Sequence, residues 1–340
     1  MADTNSRFLL RERPTGRIEP STFELVESPV PEIGDGEALV RISYISLDPT
    51  NRAWIGETPT YLPPVAIGEV MRAGALGRVV ASKHPGYPEG ALLQGLFGWQ
   101  EYAVVSDAAP AWTMPEQEGI PDSAWLGVLG QNGLTAYVGM HDIGAPKEGE
   151  TVVVSAAAGA VGSIAAQIAK IMGARVVGIA GGPEKCRAVV EDFGFDACID
   201  HRGPDLHAAL REACPDRVDV YFDNVGGPIL DAVLGRIATR ARVVLCGVIS
   251  SYLTGEHPGP ANYVNLLART ARMEGFNTLD TWGRFDEAFA ALRGWEADGL
   301  LRRREHVVVG LDHAVAALNG LFTGANIGKT VVQVSEPSVG

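Results

Sequence analysis

No cysteine occurs before position 186, and the four present, Cys186, Cys198, Cys214 and Cys246, show no C-x-x-C spacing. That pattern argues against structural zinc and a disulfide framework; reduced thiols and a cytoplasmic setting are the expectation. His84 sits in a turn with no cysteine or second histidine near it in sequence, so the N-terminal part lacks the ligands a catalytic zinc needs. Positive charge is short: 28 Lys and Arg against 41 Asp and Glu leave a net charge of −13. Such a chain repels a phosphate backbone or an anionic membrane, so neither is expected as a partner, and any anionic ligand must be held by local donors. Long apolar runs are missing, residues 151–160 being among the longest, whereas a membrane-spanning helix takes about 20 residues. The first thirteen residues mix charges without an apolar core, so no signal peptide is expected. No G-x-S-x-G elbow marks a hydrolase.

What remains has ordinary globular composition, 46% hydrophobic and 20% charged over 340 residues, which suits two domains. The first 120 or so residues carry short β-branched runs at 38–44, 76–81 and 102–105 between Pro- and Gly-rich turns. From Thr151 the texture changes. Strands at 151–155, 175–180, 197–199, 218–223, 242–246 and 272–276 alternate with helical stretches such as 160–172 and 183–192. Alternation of this kind predicts a parallel, doubly wound sheet. After a helix near 284–298, strands are expected again at 306–310 and 329–334, the second rejoining the N-terminal domain.

The sharpest signal is Ala157-Ala158-Gly159-Ala160-Val161-Gly162, directly after a strand and before a helix. A dinucleotide pyrophosphate needs close backbone approach and a helix N-terminus, which Gly159 and the following turn supply, while Gly162 permits tight helix–strand packing. The first glycine of the usual pattern is Ala157 here, so the motif gains force only from its strand–turn–helix setting. A small-residue helix–sheet contact is the bland alternative. The next strand end selects the cofactor. An NAD enzyme places an acid there, but this chain reads Ala180-Gly181-Gly182-Pro183-Glu184-Lys185. Glu184 falls after the proline and is expected to face outward. Lys185 can neutralise a 2′-phosphate, so NADP (NADPH) is expected. His201 and Arg202, after the following strand, could help enclose that phosphate, although either could equally be a surface residue. Without metal ligands the reaction runs on hydride transfer, which favours an alkene conjugated to a carbonyl, whose enolate charge a hydroxyl or backbone donor can stabilise.

Motifs run through nearly the whole chain: Ser46-Leu47-Asp48-Pro49, Tyr61-Leu62-Pro63-Pro64-Val65, Gly127-Val128-Leu129-Gly130, Leu134-Thr135-Ala136-Tyr137 and Asp142-Ile143-Gly144. They continue with residues 156–162 and 180–187, Phe222-Asp223-Asn224-Val225-Gly226-Gly227, residues 246–252, and Asn326-Ile327-Gly328-Lys329. In combination they resemble the zinc-free medium-chain dehydrogenases/reductases of the leukotriene 12-hydroxydehydrogenase/prostaglandin reductase group, particularly its bacterial curcumin/dihydrocurcumin reductase branch. The resemblance implies an α/β chain with a GroES-like β-rich catalytic domain from residues 1–125 and 306–340. Residues 126–305 would form a Rossmann doubly wound parallel-sheet domain for NADP, and a homodimer is expected.

It also implies site residues. Gly159, Ala160, Val161 and Gly162 would touch the pyrophosphate, and Gly182 and Lys185 the 2′-phosphate. His201 takes the place of a tyrosine found near that phosphate in mammalian relatives. Asn224 would approach the cofactor. Cys246, Gly247, Val248 and Ile249 would pass along its nicotinamide half, followed by Ser250, Ser251 and Tyr252. Thr135 is expected near the nicotinamide, with Phe276, Asn277, Thr278 and Asn326 completing the pocket. Tyr252 matches a tyrosine proposed as proton donor in plant double-bond reductases, and Tyr61 a substrate-side tyrosine; each could donate a hydrogen bond to the carbonyl oxygen. Taken singly, a tyrosine is more often a packed amphipathic residue, and solvent could deliver the proton. One departure is Gln131-Asn132-Gly133, where relatives carry a Met-Pro-Gly type sequence; the two amides would make the pocket more polar. Trp54, Trp99, Tyr263 and Trp282 could shape an aromatic site, although core packing is the commoner role.

The leading expectation is therefore an NADPH-dependent 2-alkenal/enone reductase acting on small α,β-unsaturated carbonyl compounds. The alternatives are a quinone oxidoreductase, an NADP-linked allylic alcohol dehydrogenase or, from another class, a non-catalytic NADPH-binding redox sensor.

Overall fold

The computed structural model describes residues 4–58, 60–115, 119–256 and 258–336. The chain divides into one unit of Met1–Leu126, His306–Ala325 and Thr330–Gly340, and a second of Gly127–Glu305 with Asn326–Lys329.

The first unit is antiparallel. β1 (Thr4–Leu10) and β2 (Phe23–Pro29) form a two-stranded ribbon in which Thr4 faces Pro29 and Leu10 faces Phe23. Neither strand stands out in the sequence, because Arg7, Glu24 and Glu27 break the apolar pattern. Tertiary packing supplies what the pattern lacks: the Phe8 and Phe23 rings close on Trp99 at 5.8 and 5.2 Å. Trp99 is fully buried and belongs to this core. β3 (Glu37–Ser46) is the long central strand, followed by α1 (Thr50–Trp54), β4 (Ala75–Ser82), β5 (Leu92–Gly95), β6 (Tyr102–Ser106) and the short β7 (Trp112–Thr113).

The second unit opens with α2 (Gln131–Tyr137), which runs directly into a π-helical turn at Val138–Gly144. Strands and helices then alternate: β8 (Thr151–Ser155), α3 (Ala160–Ile171), β9 (Arg175–Ala180), α4 (Pro183–Glu191), β10 (Ala197–Asp200) and α5 (Leu206–Ala213). The second half adds β11 (Val218–Asp223), α6 (Gly227–Leu234), β12 (Ile237–Leu245), α7 (Val264–Ala268), β13 (Arg272–Gly275) and α8 (Phe285–Ala297). All six strands are parallel, in the order β10-β9-β8-β11-β12-β13. The order reverses between β8 and β11, and doubly wound sheets bind ligands at the carboxyl ends beside such a reversal. β8 is buried along its whole length, as a strand covered on both faces should be.

The chain then returns to the first unit. β14 (Glu305–Val309) and β15 (Lys329–Gln333), with α9 (Ala314–Thr323) between them, complete a seven-stranded sheet. Its order is β14-β15-β3-β4-β5-β7, with β6 on β3, and Val331 of β15 faces Ser46 of β3.

Candidate functional site

The turn between β8 and α3 has an unusual backbone. Ala156, not a glycine, takes the left-handed conformation (φ 48°). Ala157, at the position of the usual first glycine, stays outside that region and is fully buried. Its methyl fits because Gly178 on β9 has none: a Cβ on Gly178 would lie 2.9 Å from that of Ala157. Gly162 needs the absence of a side chain, since a Cβ would lie 2.4 Å from the Ala156 carbonyl oxygen. Gly159 is the N-cap of α3 and brings no side-chain cap, which leaves the first-turn N–H groups of Ala160, Val161 and Gly162 without intrahelical acceptors.

Beside this turn runs the segment 326–329. Gly328 N–H donates to the Ala158 carbonyl at 2.7 Å. Gly328 is held at φ 78°, and a Cβ there would come within 2.0 Å of the Arg304 carbonyl oxygen. Asn326 donates its side-chain amide to the Gly328 carbonyl at 2.9 Å, so it braces this approach. Gly328 was legible only as part of a motif; its reason is this backbone contact.

At the end of β9 a basic pocket forms around Gly181 and Gly182. Space above Gly181 is bounded by His201 and Arg202, whose Nε2 and Nε would lie 2.9 and 3.1 Å from an added Cβ. Lys185, on the first turns of α4, is half-buried; burial and the neighbouring Arg202 charge lower its pKa. Burial and Arg202 also lower that of His201. Asp200 is the acid whose bonds hold this turn. Its carboxylate accepts from Gly182 N–H at 2.8 Å and Arg202 N–H at 3.0 Å, and those backbone donors depress its pKa. The acid thus shapes the turn, and three cationic or protonatable side chains flank it. Glu184 is exposed. His201 and Arg202, each weighed in the sequence against a surface role, are both exposed, and their side chains stand beside Gly181.

The carboxyl ends of β8, β11 and β12 are tied together. Asn224 donates its side-chain amide to the Ser155 carbonyl at 2.7 Å, and its N–H donates to the Ser155 hydroxyl oxygen at 2.9 Å. Oδ1 of the buried Asp223 accepts from the Ser155 and Tyr221 hydroxyls and from the N–H groups of Val225 and Gly226. Desolvation raises the pKa of Asp223 despite these donors. Sequence reasoning missed this carboxylate, which carried no signal beyond its place in a motif. Cys246 and Gly247 donate their N–H groups to the Asp223 carbonyl, at 2.9 and 3.0 Å. Burial pushes the Cys246 thiol up to about 12. Val248 packs near Gly226, Ile249 donates its N–H to the Asn224 carbonyl, and the Ser250 hydroxyl donates to the Val225 carbonyl at 2.6 Å. Ser251 is buried and Tyr252 half-buried at the end of this segment.

Two further predicted residues meet across the second unit: the Thr135 and Thr278 hydroxyl oxygens are 2.7 Å apart. Thr135 also donates to the Gln131 carbonyl. Gln131 is exposed and Asn132 half-buried. Asn277 accepts from Leu279 N–H as a cap, and the Phe276 ring packs where a side chain on Gly139 would be. Both therefore have structural roles in this segment. Tyr263 is exposed, and Trp282 stacks on Phe285 at 5.2 Å.

Tyr61 stands in the first unit, edge-on to Trp54 at 6.2 Å. Desolvation raises its pKa, while a hydrogen bond with Thr50 acts in the other direction. Its surroundings are built from the Ser46-Leu47-Asp48-Pro49 motif. Asn51 Oδ1 accepts from Asp48 N–H, and the Asn51 amide donates to the Arg72 carbonyl. Arg13, overlooked in the sequence, donates to the carbonyls of Ile55, Gly56 and Val65 and so clamps both ends of the loop that carries Tyr61.

Against known proteins, residues 6–112 match the family described as "N-terminal domain of oxidoreductase", and residues 160–293 the family described as "Zinc-binding dehydrogenase". An NADPH-dependent curcumin reductase from Escherichia coli strain K12 is 43% identical, covering 97% of both chains. A 2-alkenal reductase (NADP(+)-dependent) from Nicotiana tabacum is 36% identical, covering 98% of both. The crystal structure of CurA from Vibrio vulnificus in complex with NADPH superposes with a TM-score of 0.93 at 41% identity, covering 98% of this chain and 100% of that one.

This chain belongs to the medium-chain dehydrogenase/reductase family, in its leukotriene 12-hydroxydehydrogenase/prostaglandin reductase group. Family members share the N-terminal β-rich domain and Rossmann domain described above. Among the described residues, no three His, Cys, Asp or Glu side chains cluster as a metal site requires, although one family description names zinc. No helix among them is long and apolar enough to cross a membrane.

Proposed function

We propose that this reductase uses NADPH to reduce the carbon–carbon double bond of α,β-unsaturated aldehydes and ketones. The observation that carries the cofactor choice is the trio Lys185, His201 and Arg202 around Gly181–Gly182, with Asp200 committed to backbone donors. That pocket suits a 2′-phosphate, and its Asp200 is taken up by backbone donors rather than offered to a ribose diol. The substrate class rests on whole-length similarity to relatives named for curcumin and 2-alkenals. The N–H groups of residues 160–162 would hold the pyrophosphate, with Gly159 giving it room. Asn224 and residues 246–252 would line the nicotinamide half, joined by Thr135, Phe276, Asn277, Thr278 and Asn326. When bound, the nicotinamide supplies a hydride to the β-carbon, and charge builds on the carbonyl oxygen. A phenol can donate to that oxygen; Tyr252 is the proposed donor, and Tyr61 is kept as the alternative. The chain is further proposed to act in the cytoplasm, where its four free cysteines stay reduced, and as a homodimer.

One experiment tests the reading: NADPH oxidation by the purified protein with enals, enones, a quinone and, in reverse with NADP, an allylic alcohol. Enones should be the fastest substrates. Lys185→Ala should weaken NADPH binding by about 1–3 kcal/mol and leave NADH unchanged. Tyr252→Phe should lower kcat about ten- to a thousandfold if its hydroxyl serves the transition state. Preference for the quinone or the alcohol would replace the proposed activity, and no turnover of any of them would favour a binding protein. Equal losses for both cofactors in Lys185→Ala would refute the phosphate pocket. Wild-type kcat in Tyr252→Phe, Tyr61→Phe and the double variant would reduce the tyrosines to walls.

A further inference from the structure

Two of the four cysteines meet. Cys186 stands on α4 immediately after Lys185, and Cys198 stands on β10 two residues before Asp200. Their sulfur atoms are 3.0 Å apart, and both are free thiols. This is closer than ordinary non-bonded contact, yet a disulfide at about 2.05 Å would need them to approach by about 1 Å more. Both residues are half-buried, so neither is sealed from solvent. Cys214 and Cys246 lie elsewhere, at the end of α5 and past the end of β12.

We propose that Cys186 and Cys198 form a peroxide-driven, reversible disulfide that lowers the protein's affinity for NADPH. The Cys198 thiol donates to the Cys186 sulfur. Burial raises both thiols, but this bond pulls Cys186 back while Cys198 is raised further, so Cys186 ionises first. The Cys186 thiolate attacks one oxygen of hydrogen peroxide or an organic hydroperoxide. The O–O bond breaks, water or an alcohol leaves, and Cys186 becomes a sulfenic acid. Cys198 gives up its proton and attacks that sulfur; the S–S bond forms as the S–O bond breaks, and the hydroxide leaves as water with that proton. Two thiols and one hydrogen peroxide thus give one disulfide and two waters. Because the thiols are held protonated, the reaction quickens as pH rises.

The consequence for NADPH rests on the phosphate-pocket reading above. α4 carries Lys185, and β10 ends in Asp200, His201 and Arg202. Drawing α4 toward β10 crowds Lys185 against the Arg202 charge and narrows the space over Gly181. An NADPH-consuming enzyme would thereby slow when peroxide accumulates.

The test treats the full-length reduced protein with hydrogen peroxide, maps its peptides by mass and measures steady-state kinetics with both cofactors. A Cys186–Cys198 link two hydrogens lighter than its parts, reversed by dithiothreitol, is expected. The KM for NADPH should rise about tenfold, as for losing one charge-assisted contact, with kcat and the NADH parameters unchanged. Cys186→Ser and Cys198→Ser should each prevent both the link and the KM change. Separate oxidation of the two cysteines without a link, or no oxidation, overturns the site. A link that leaves the NADPH KM unchanged overturns the control. If the link forms but Lys185→Ala leaves cofactor preference intact, the phosphate pocket has failed and the thiol pair stands.

Discussion

A single side chain decides how cofactor affinity should respond to pH. His201 sits beside Gly181, its pKa pushed below the ordinary histidine value by burial and by Arg202. A bound 2′-phosphate dianion faces it with opposite charge and must raise that pKa, so binding takes up a proton. Affinity for NADP should therefore strengthen as pH falls through the raised pKa of the complexed imidazole. The gain should end near pH 6, where the phosphate itself protonates. Affinity for NAD should stay flat, and His201→Gln should lose the slope. Titration calorimetry with both oxidised cofactors checks this; an equal slope for NAD, or one that persists in His201→Gln, would remove His201 from the phosphate site. Lys185 was legible in the sequence as a candidate, because a cation after two glycines has few other purposes there. Arg202 was not decided, because nothing local tells which way an exposed arginine turns, and only the fold sets its side chain beside Gly181.

At the scale of elements, the contact between the Gly159 turn and β9 explains the missing first glycine. Ala157 fills the hollow that Gly178 leaves, with Val189 and Phe195 around it. Gly178→Ala would place a methyl 2.8 Å from Val189 Cγ1 and 2.9 Å from Ala157 Cβ. Overpacking of this kind costs about 1–3 kcal/mol. Thermal unfolding should show a lower Tm for Gly178→Ala, and adding Ala157→Gly, which removes one of the two clashes, should restore part of the loss. Strict additivity of the two changes would mean that the methyls do not meet. Element types followed largely from pattern: the continuous apolar β8 and the alternation after it announced a parallel sheet. β1 and β2 were missed because their charges break the alternation, and only mutual pairing and Trp99 fix them as strands. The π-turn at Val138–Gly144 was missed as well; its geometry is bound up with Phe222 and Phe276, distant in sequence, packing against Gly139.

For the whole molecule, the homodimer proposal has a specific surface. β13 is an edge strand of the six-stranded sheet, and next to it in the chain Tyr263, Val264 and Leu267 are 60%, 54% and 88% exposed. An unpaired edge beside exposed apolar side chains suits a second copy of the same strand. Sedimentation at micromolar concentration should give a dimer, and Leu267→Glu should weaken it. Each chain carries −13 charges, so added salt should strengthen the association by screening. A monomer at every concentration would reject the proposal. Much of this protein was set by sequence alone: the doubly wound sheet, the turn at 157–162 and the family that its motifs announce. Those features depend on short-range periodicity and on residues within one strand–turn–helix unit. Other features came only from the tertiary structure. The grouping of Lys185, His201 and Arg202, the buried carboxylate of Asp223, the Thr135–Thr278 pair and the Cys186–Cys198 contact each join residues from elements that only the fold brings together. Local pattern does not specify such contacts, because strand order and crossover determine which strand ends become neighbours.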